Sequence, residues 1–488
     1  MRQSRVLQLA KLGKKLTVIK LSDTPNKEAA YKRTMFYELK SMGGVFFKAL
    51  QVMSVTYRFL EGWAGPKEMT VFNRIPTEEI DIDNYIKNKS VFRSYERTPF
   101  ATGSFAQVYK GVLSSGETVA IKVLRPSIAR NLKGDLKYLK RVAQLFAGFL
   151  PSTILDYQKV VGEFCANCSL ETDYLREIEN MKYFQTFYKD HPYVVVPKVY
   201  AELSGSDVIV QEFIGGPTFA DVLVEHTPFR PATKIANELT GSNLWTQMII
   251  AGGEALRMAM QADYIFGDPH PGNIKLLPGD KIAFIDYGII ANKPTSQWAF
   301  YEWVKAYHAT LTGKGGLDAL ATASLNCFAS DIAIALNTCE LNDASPALDT
   351  ITEALASKFD NMKNDKIAKE LAGNGHFFKL FTESLDGKNA LNIKLDTANF
   401  QLIKAMQSYL GSLTVLDNSE TRDRFAFAMQ SAMNYALRYA DIYGVKNDMP
   451  LRSRFNTNES YELLVDTVSS LAEGDQFIFK YINDRMTV

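Results

Sequence analysis

The stretch from Tyr264 to Ile289, YIFGDPHPGNIKLLPGDKIAFIDYGI, decides the fold. Asp268 stands five residues before Asn273, and Asp286 opens an Asp-Tyr-Gly at the end of the apolar run KIAFI. Pro269 and Pro271 stiffen the loop between them. Two acids and an amide around two short strand-like segments suit phosphoryl transfer, which is chiefly positioning plus neutralisation of charge. A hard Mg2+ prefers oxygen ligands, usually one or two carboxylates with phosphate oxygens and water. Asp286 is the first expected metal ligand, and Asn273, a neutral oxygen donor, the second. Asp268 is expected beside the transferred phosphoryl group as base or orienting group. The competing reading, loop acids that merely cap turns, is weakened by the D-Y-G that follows Asn273 by thirteen residues.

Working upstream, FAQVYKGVL and TVAIKVL are apolar and β-branched and are joined by the turn SSGE, a strand-turn-strand pattern. Lys122, in VAIKV, lies on the second strand and is expected to meet the α- and β-phosphates of a nucleotide. The phosphate loop is ATGSFAQVY, with Ala101, Thr102, Gly103, Ser104, Phe105, Ala106 and Val108 as contacts. It carries one glycine, so its backbone has less freedom than a glycine-rich loop. GSDVIVQEFIGG reads as the hinge, with backbone groups of Glu212, Phe213 and Ile214 meeting adenine. A helix over about 155–189 contains SLETDYLREIEN, in which Asp173 and Glu177 share a face within about 40° and Glu171 faces away.

The rest of the chain supplies an order. Residues 1–95 read as helical, with MGGVFFKALQVMSVTYRFL amphipathic; YVVVPKVY and DVIVQEFI read as strands. A helix follows Pro126, another pattern covers about 233–263, and the chain is helix-patterned after 295. The predicted class is α+β, with the chain order of a protein kinase. An N-terminal helical extension (1–95) leads into a kinase-like N-lobe (96–214). The core of a C-lobe (215–295) and a helical C-terminal region (296–488) complete it.

Composition bounds the partners. Lys and Arg number 55 against 54 Asp and Glu, so the chain as a whole has no electrostatic bias toward nucleic acid. Hydrophobic content of 46% marks a folded chain. Four cysteines and no signal-peptide pattern fit an intracellular, cytoplasmic setting. No apolar run is long enough to predict a membrane-spanning helix. The start alone is biased: Arg2, Arg5, Lys11, Lys14, Lys15 and Lys20 precede the first acid and alternate with leucines. Three readings stay open: a basic helix lying on an anionic membrane surface, an organelle transit peptide, and a solvated helix. Cys165 and Cys168 form a C-x-x-C with no second pair nearby and read as buried small hydrophobes. His270, between the two prolines, reads as a brace for the loop.

Taken together, G-D-P-H-P-G-N and I-D-Y-G resemble the catalytic core of the UbiB family, the AarF-domain atypical kinases also called ADCK proteins. SFAQVYKG looks like that family's alanine-rich loop, ETDYLRE like its E-x-D motif through Glu171 and Asp173, and GGVFFKALQVMS like its K-x-G-Q segment through Lys48 and Gln51. The resemblance covers about 35–295. It implies a protein-kinase-like fold that binds ATP and Mg2+, ATPase activity more evident than protein phosphorylation, and a place in ubiquinone or other isoprenoid-lipid metabolism. It further implies that Lys48 pairs with the E-x-D acids, that Glu177 partners Lys122, and that the K-x-x-Q helix covers the site. Three departures mark a divergent member: Leu50 replaces the motif glycine, Thr102 and Gly103 interrupt the alanine run, and Phe266 stands where histidine is usual. An ATP-dependent enzyme is the first expectation, and a nucleotide-binding pseudokinase scaffold or lipid-binding regulator the second. A small-molecule kinase of the choline type shares D-x-x-x-x-N but leaves D-P-H-P-G-N unexplained.

Overall fold

The structure is a computed structural model that describes residues 5–22, 26–56, 77–146, 157–225, 230–269, 271–294, 296–316 and 422–445, with a few helical positions between 319 and 327. The chain divides into two compact units. One comprises Met1–Glu179 with Lys198–Phe213, the other Asn180–Pro197 with Ile214–Val488.

The first unit begins with three helices, α1 (Arg5–Leu21), α2 (Lys27–Met42) and α3 (Gly44–Thr56). The Asn26 side chain accepts from the Ala29 N–H and caps α2. At the other end Gly43 and Gly44 both take positive φ, 66° and 53°, so the chain reverses where a Cβ would strain it. Val45, Phe46, Phe47, Ala49 and Leu50 of α3 are buried, and α3 packs on α4 (Pro126–Phe146).

Beside them lies an antiparallel sheet. Its strands are β1 (Phe92–Tyr95), β2 (Ala101–Thr102), β3 (Ala106–Leu113), β4 (Thr118–Leu124) and, after β5 (Val194–Val195) of the other unit, β6 (Val208–Glu212). The order is β1-β3-β4-β6, with β2 added to β3. Val119, Ile121 and Val123 of β4 join Tyr109, Val208 and Val210 in one apolar core. Because side chains alternate along a strand, Lys122 stands on the opposite face from that core.

Two elements differ from the sequence reading. The helical reading up to residue 95 stops short, because Phe92–Tyr95 form β1, a strand too short for its alternation to register. The helix expected over 155–189 is broken in two, α5 (Tyr157–Leu170) and α6 (Tyr174–Phe187). Thr172 Oγ1 bonds back to the Ser169 carbonyl at 2.9 Å, and Asp173 Oδ1 accepts from the Arg176 N–H at 3.2 Å. Asp173 thus starts a new helix at its N-cap.

In the second unit β5 runs parallel to β9 (Ile282–Phe284), which pairs antiparallel with β8 (Ile274–Leu276); β7 (Tyr264–Phe266) pairs with β10 (Ile290–Asn292). Helices α7 (Phe219–Glu225), α8 (Ala232–Thr240), α9 (Leu244–Gln261), α10 (Gln297–Leu311) and α11 (Arg422–Tyr443) accompany them among the described residues. α9 is buried on nearly all sides, its polar residues Gln247, Glu254, Arg257 and Gln261 included. α10 and α11 pack against it. No helix among the described residues is long and apolar enough to cross a membrane. Most of the region expected to be helical beyond 316 lies outside the described residues.

Candidate active site

Two groups of the expected site residues are built, one in each unit. In the first, Lys122 Nζ on β4 lies 2.7 and 3.0 Å from the two carboxylate oxygens of Glu177. Glu177 is 1% exposed and sits in the first turn of α6, where the helix dipole favours an anion. The Tyr174 ring lies 5.5 Å from the same ammonium. The expected phosphate loop is the β2–β3 hairpin, in register Ala101 with Val108 and Thr102 with Gln107. Gly103 N–H donates to the Ala106 carbonyl at 2.8 Å, and Phe105 is buried beneath the tip.

Lys48, on α3, lies 3.0 Å from Glu171 Oε2, with side chains 21% and 17% exposed. Its ammonium is also 5.9 Å from the Phe105 ring. Asp173 corrects the expectation that both acids answer Lys48: it is exposed and occupied in capping α6. Glu171, in turn, sits in the break between helices and not on the helix face assigned to it. The side chain of Gln51, and His270, lie outside the described residues.

The hinge segment is partly committed already. Glu212 N–H donates to the Lys198 carbonyl at 2.7 Å and Phe213 N–H to the Thr118 carbonyl at 3.0 Å. The expectation that backbone groups from Glu212 to Ile214 meet adenine therefore narrows to their carbonyls and to Ile214. The Phe213 ring packs edge-on against Phe100 at 5.5 Å, with Lys110 Nζ at 4.7 Å.

In the second unit Asn273 Nδ2 donates to the Asp268 carbonyl at 3.2 Å, which fixes the amide and makes Oδ1 its remaining acceptor end. Ile274 pairs with Phe284, and Ile285 N–H donates to the Asn273 carbonyl at 3.1 Å. Asn273 and Asp286 therefore flank the same end of the β8–β9 ladder. Gly288 N–H steadies Asp286 through Oδ1 at 3.1 Å. A carboxylate and an amide at one ladder end are the donor types that suit a hard divalent cation completed by phosphate and water. Among the described residues no group of three or more His, Cys, Asp or Glu competes for one.

Phe266 is buried, its ring 4.6 Å from Phe284 and 5.5 Å from Tyr287. Asn180 Nδ2 donates to the Tyr287 carbonyl at 2.8 Å. The D-Y-G turn is thus braced from behind by packing.

Sequence reasoning missed a buried ionic cluster in the second unit. Glu254, on α9, is met by Arg257 Nε at 2.8 Å, His191 Nε2 at 3.2 Å and Tyr435 Oη at 2.5 Å. His191 Nδ1 accepts from the Tyr193 and Val194 N–H groups, so its proton rests on Nε2 and points at Glu254. The Arg257 guanidinium lies 4.5 Å from the Phe187 ring and 5.4 Å from Tyr188 and Tyr439. Burial pushes the Glu254 carboxyl up, but Arg257 and His191 outweigh it and hold the carboxyl far below its usual range. Burial also holds the His191 imidazole below its usual value. A charged pair three apart on an apolar helix was the only local trace. Cys165 and Cys168 are both buried.

Residues 79–309 match the family model described as the ABC1 atypical kinase-like domain. AarF domain-containing kinase 1 of Drosophila melanogaster is 30% identical over 214 residues, 43% of this chain and 39% of that protein. Protein ACTIVITY OF BC1 COMPLEX KINASE 1, chloroplastic, of Arabidopsis thaliana is 33% identical over 205 residues, 42% of this chain and 28% of that one. The matched stretches thus span less than half of these relatives. The solved structure of Rv3197 with erythromycin, from Mycobacterium tuberculosis, aligns at a TM-score of 0.44 and 21% identity over 83% of this chain and 87% of that one. The fold is kinase-like, mixed helix and antiparallel sheet. Residues 79–309 thus carry an ABC1 atypical kinase-like domain, and the chain is similar through it to the AarF and ABC1 kinases.

Proposed function

We propose that the chain is an ATP- and Mg2+-dependent phosphotransferase or ATPase acting in isoprenoid or membrane-lipid metabolism, ubiquinone included. The observation that carries this reading is the Lys122–Glu177 pair, a strand lysine gripped by both oxygens of a carboxylate that is 1% exposed. A buried ion pair is a costly way to stabilise a fold, so a lysine fixed by one suits recognition of an anion. Lys122 meets the α- and β-phosphates, and the 101–106 hairpin with Val108 covers them. Asp268 orients or deprotonates the acceptor. Asn273 and Asp286 would hold Mg2+, which neutralises phosphate charge when bound. Lys48 and Glu171 tie α3 near the hairpin and favour hydrolysis or a small lipid-linked acceptor over a protein.

A membrane surface is the proposed place of work. Leu7, Val18 and Leu21 of α1 are exposed, and Lys11, Lys14, Lys15 and Arg33 line a groove beside α2. Apolar and cationic side chains on one surface suit an anionic lipid face.

The deciding experiment measures ATP binding and turnover with and without Mg2+ and anionic or isoprenoid-containing vesicles, against Asp286→Asn. Loss of Mg2+-dependent affinity in the variant is expected. Binding that persists without turnover under every condition would favour the scaffold reading, and affinity with an unchanged Mg2+ dependence would misplace the metal.

A further inference from the structure

The hairpin at 101–106 poses a physical problem. Its one glycine, Gly103, is not at positive φ, so the tip gains no order from a special backbone state. Yet two of the three tip carbonyls are held. Arg125, the first residue after β4, donates its backbone N–H to the Phe105 carbonyl at 2.9 Å and its Nη1 to the Gly103 carbonyl at 3.3 Å. The guanidinium is itself anchored, with Nε 3.4 Å from Glu78 Oε2. Glu78 is fixed in turn: its Oε1 accepts from the Ser127 N–H at 3.0 Å and its Oε2 from Ser127 Oγ at 2.6 Å, at the start of α4. The Glu78 N–H donates to Gln107 Oε1 at 2.5 Å. Gln107 is fully buried on β3 and donates from Nε2 to Tyr109 Oη at 3.0 Å. Arg125 and Glu78 side chains are only 14% and 18% exposed.

We propose that Arg125 and Glu78 are positioning residues that latch this hairpin so that it presents a backbone donor to the nucleotide phosphates. A trans peptide points its C=O and the following N–H in opposite directions. With the Gly103 carbonyl turned onto Arg125, the Ser104 N–H is turned away from it, as a donor for an anion. Arg125 lies three residues beyond Lys122, so β4 carries the lysine and the residue that follows the strand carries the latch for the loop. A charge-assisted fork replaces what several glycines supply elsewhere, order by side chain in place of adaptability.

This inference rests on the nucleotide reading above, and the test separates the two. Hydrogen exchange of the 101–106 segment is measured without nucleotide in the wild type, Arg125→Met, Arg125→Lys and Glu78→Gln. Affinities for ATP and for adenosine are measured in the same set. Arg125→Met is expected to speed exchange and weaken ATP about tenfold, the loss of one hydrogen bond to a charged group, while adenosine affinity holds. Arg125→Lys, charged but without the fork, recovers part of both, and Glu78→Gln falls between. Wild-type protein that binds neither ligand overturns the nucleotide reading. Unchanged exchange in both Arg125→Met and Glu78→Gln overturns the latch alone. Equal loss for ATP and adenosine would reduce Arg125 to a structural residue. If Arg125→Met does not fold, the Lys and Gln variants carry the same comparison.

Discussion

Replacing Glu254 by Gln isolates what the buried cluster of the second unit contributes. Every group hydrogen-bonded to this carboxylate is a donor, namely Arg257 Nε, the His191 Nε2–H and the Tyr435 hydroxyl, and Arg257 Nη2 adds an ion-pair contact at 2.7 Å. Gln keeps the shape but turns an NH2 toward at least one of those donors and leaves Arg257 without its anion. Glu254 is fully buried, so water cannot make up the loss. Removing one partner of a buried pair costs about 3 to 5 kcal/mol, against about 1 kcal/mol for an ordinary hydrogen bond. Urea unfolding followed by fluorescence of Trp303, which is buried in α10 of the same unit, reads the difference. Hydrogen exchange over 422–443 should rise with it, because Tyr435 ties α11 to α9. A loss under about 1 kcal/mol would refute the argument, since it would mean that the charge adds nothing beyond one hydrogen bond.

The pH dependence of the same cluster has a definite sign. His191 is held below its ordinary 6.5, so the fold keeps it neutral while the unfolded chain takes up a proton. Its contribution is complete above 6.5 and is lost as pH falls through the lowered folded value. Glu254 is held below its ordinary 4.5, so its contribution is present above 4.5 and fades only in stronger acid. His191→Gln should flatten the first limb of a stability-versus-pH curve, and Glu254→Gln the second.

Three further outcomes are expected. Lys122→Ala should abolish ATP-induced thermal stabilisation and, by stripping two bonds from nearly buried Glu177, lower stability by about 1 to 3 kcal/mol; unaltered stabilisation by ATP would count against Lys122 as a phosphate ligand. Lys48→Ala should change nucleotide turnover or preference, and Glu171→Gln should copy it; two silent variants would return the pair to an ordinary part-exposed salt bridge, of little worth. Gly253→Ala sets a Cβ 2.4 Å from the Tyr435 ring and should cost about 1 to 3 kcal/mol in the same urea assay, as overpacking does; a neutral result would show that α11 can retreat from α9.

Much of the candidate site was legible because its chemistry is written at short range. Asp268, Asn273 and Asp286 fall within nineteen residues, and the spacing itself, with two prolines and a terminal glycine, announced the turn and the ladder end. Lys122 was legible for the same reason, as a charge inside an apolar strand. The Glu254 cluster was not. It joins a histidine before β5, an acid and an arginine on α9, and a tyrosine 181 residues beyond Glu254. Each alone reads as an ordinary helix or loop residue. The Arg125–Glu78 latch was hidden likewise, since the two lie 47 residues apart and only the fold sets them at the same hairpin.

The break at Glu171–Asp173 shows how a small local misreading alters the ion pairs that a helix can make. Helical periodicity runs through SLETDYLREIEN, so one continuous helix was the natural reading, and at 100° per residue it sets Glu171 and Glu177 about 120° apart. On such a helix the two acids would face different neighbours at a fixed angle, with Asp173 near Glu177. The structure spends Asp173 on the N-cap instead, and the signal was there in Thr172-Asp173 ahead of an apolar-periodic run. Restarting the helix frees the direction of Glu171 from that of Glu177. Glu171 then answers Lys48 at 3.0 Å while Glu177 answers Lys122 at 2.7 Å. Two lysines from different elements each obtain a carboxylate, one at the end of the broken turn and one in the first turn of the helix. Asp173→Ala should therefore disturb both pairs at once through loss of the cap, about 1 kcal/mol at the helix start, although Asp173 touches neither lysine. Crossing Asp173→Ala with Lys48→Ala tests it: strictly additive effects on turnover would mean that the break and the pairing are independent.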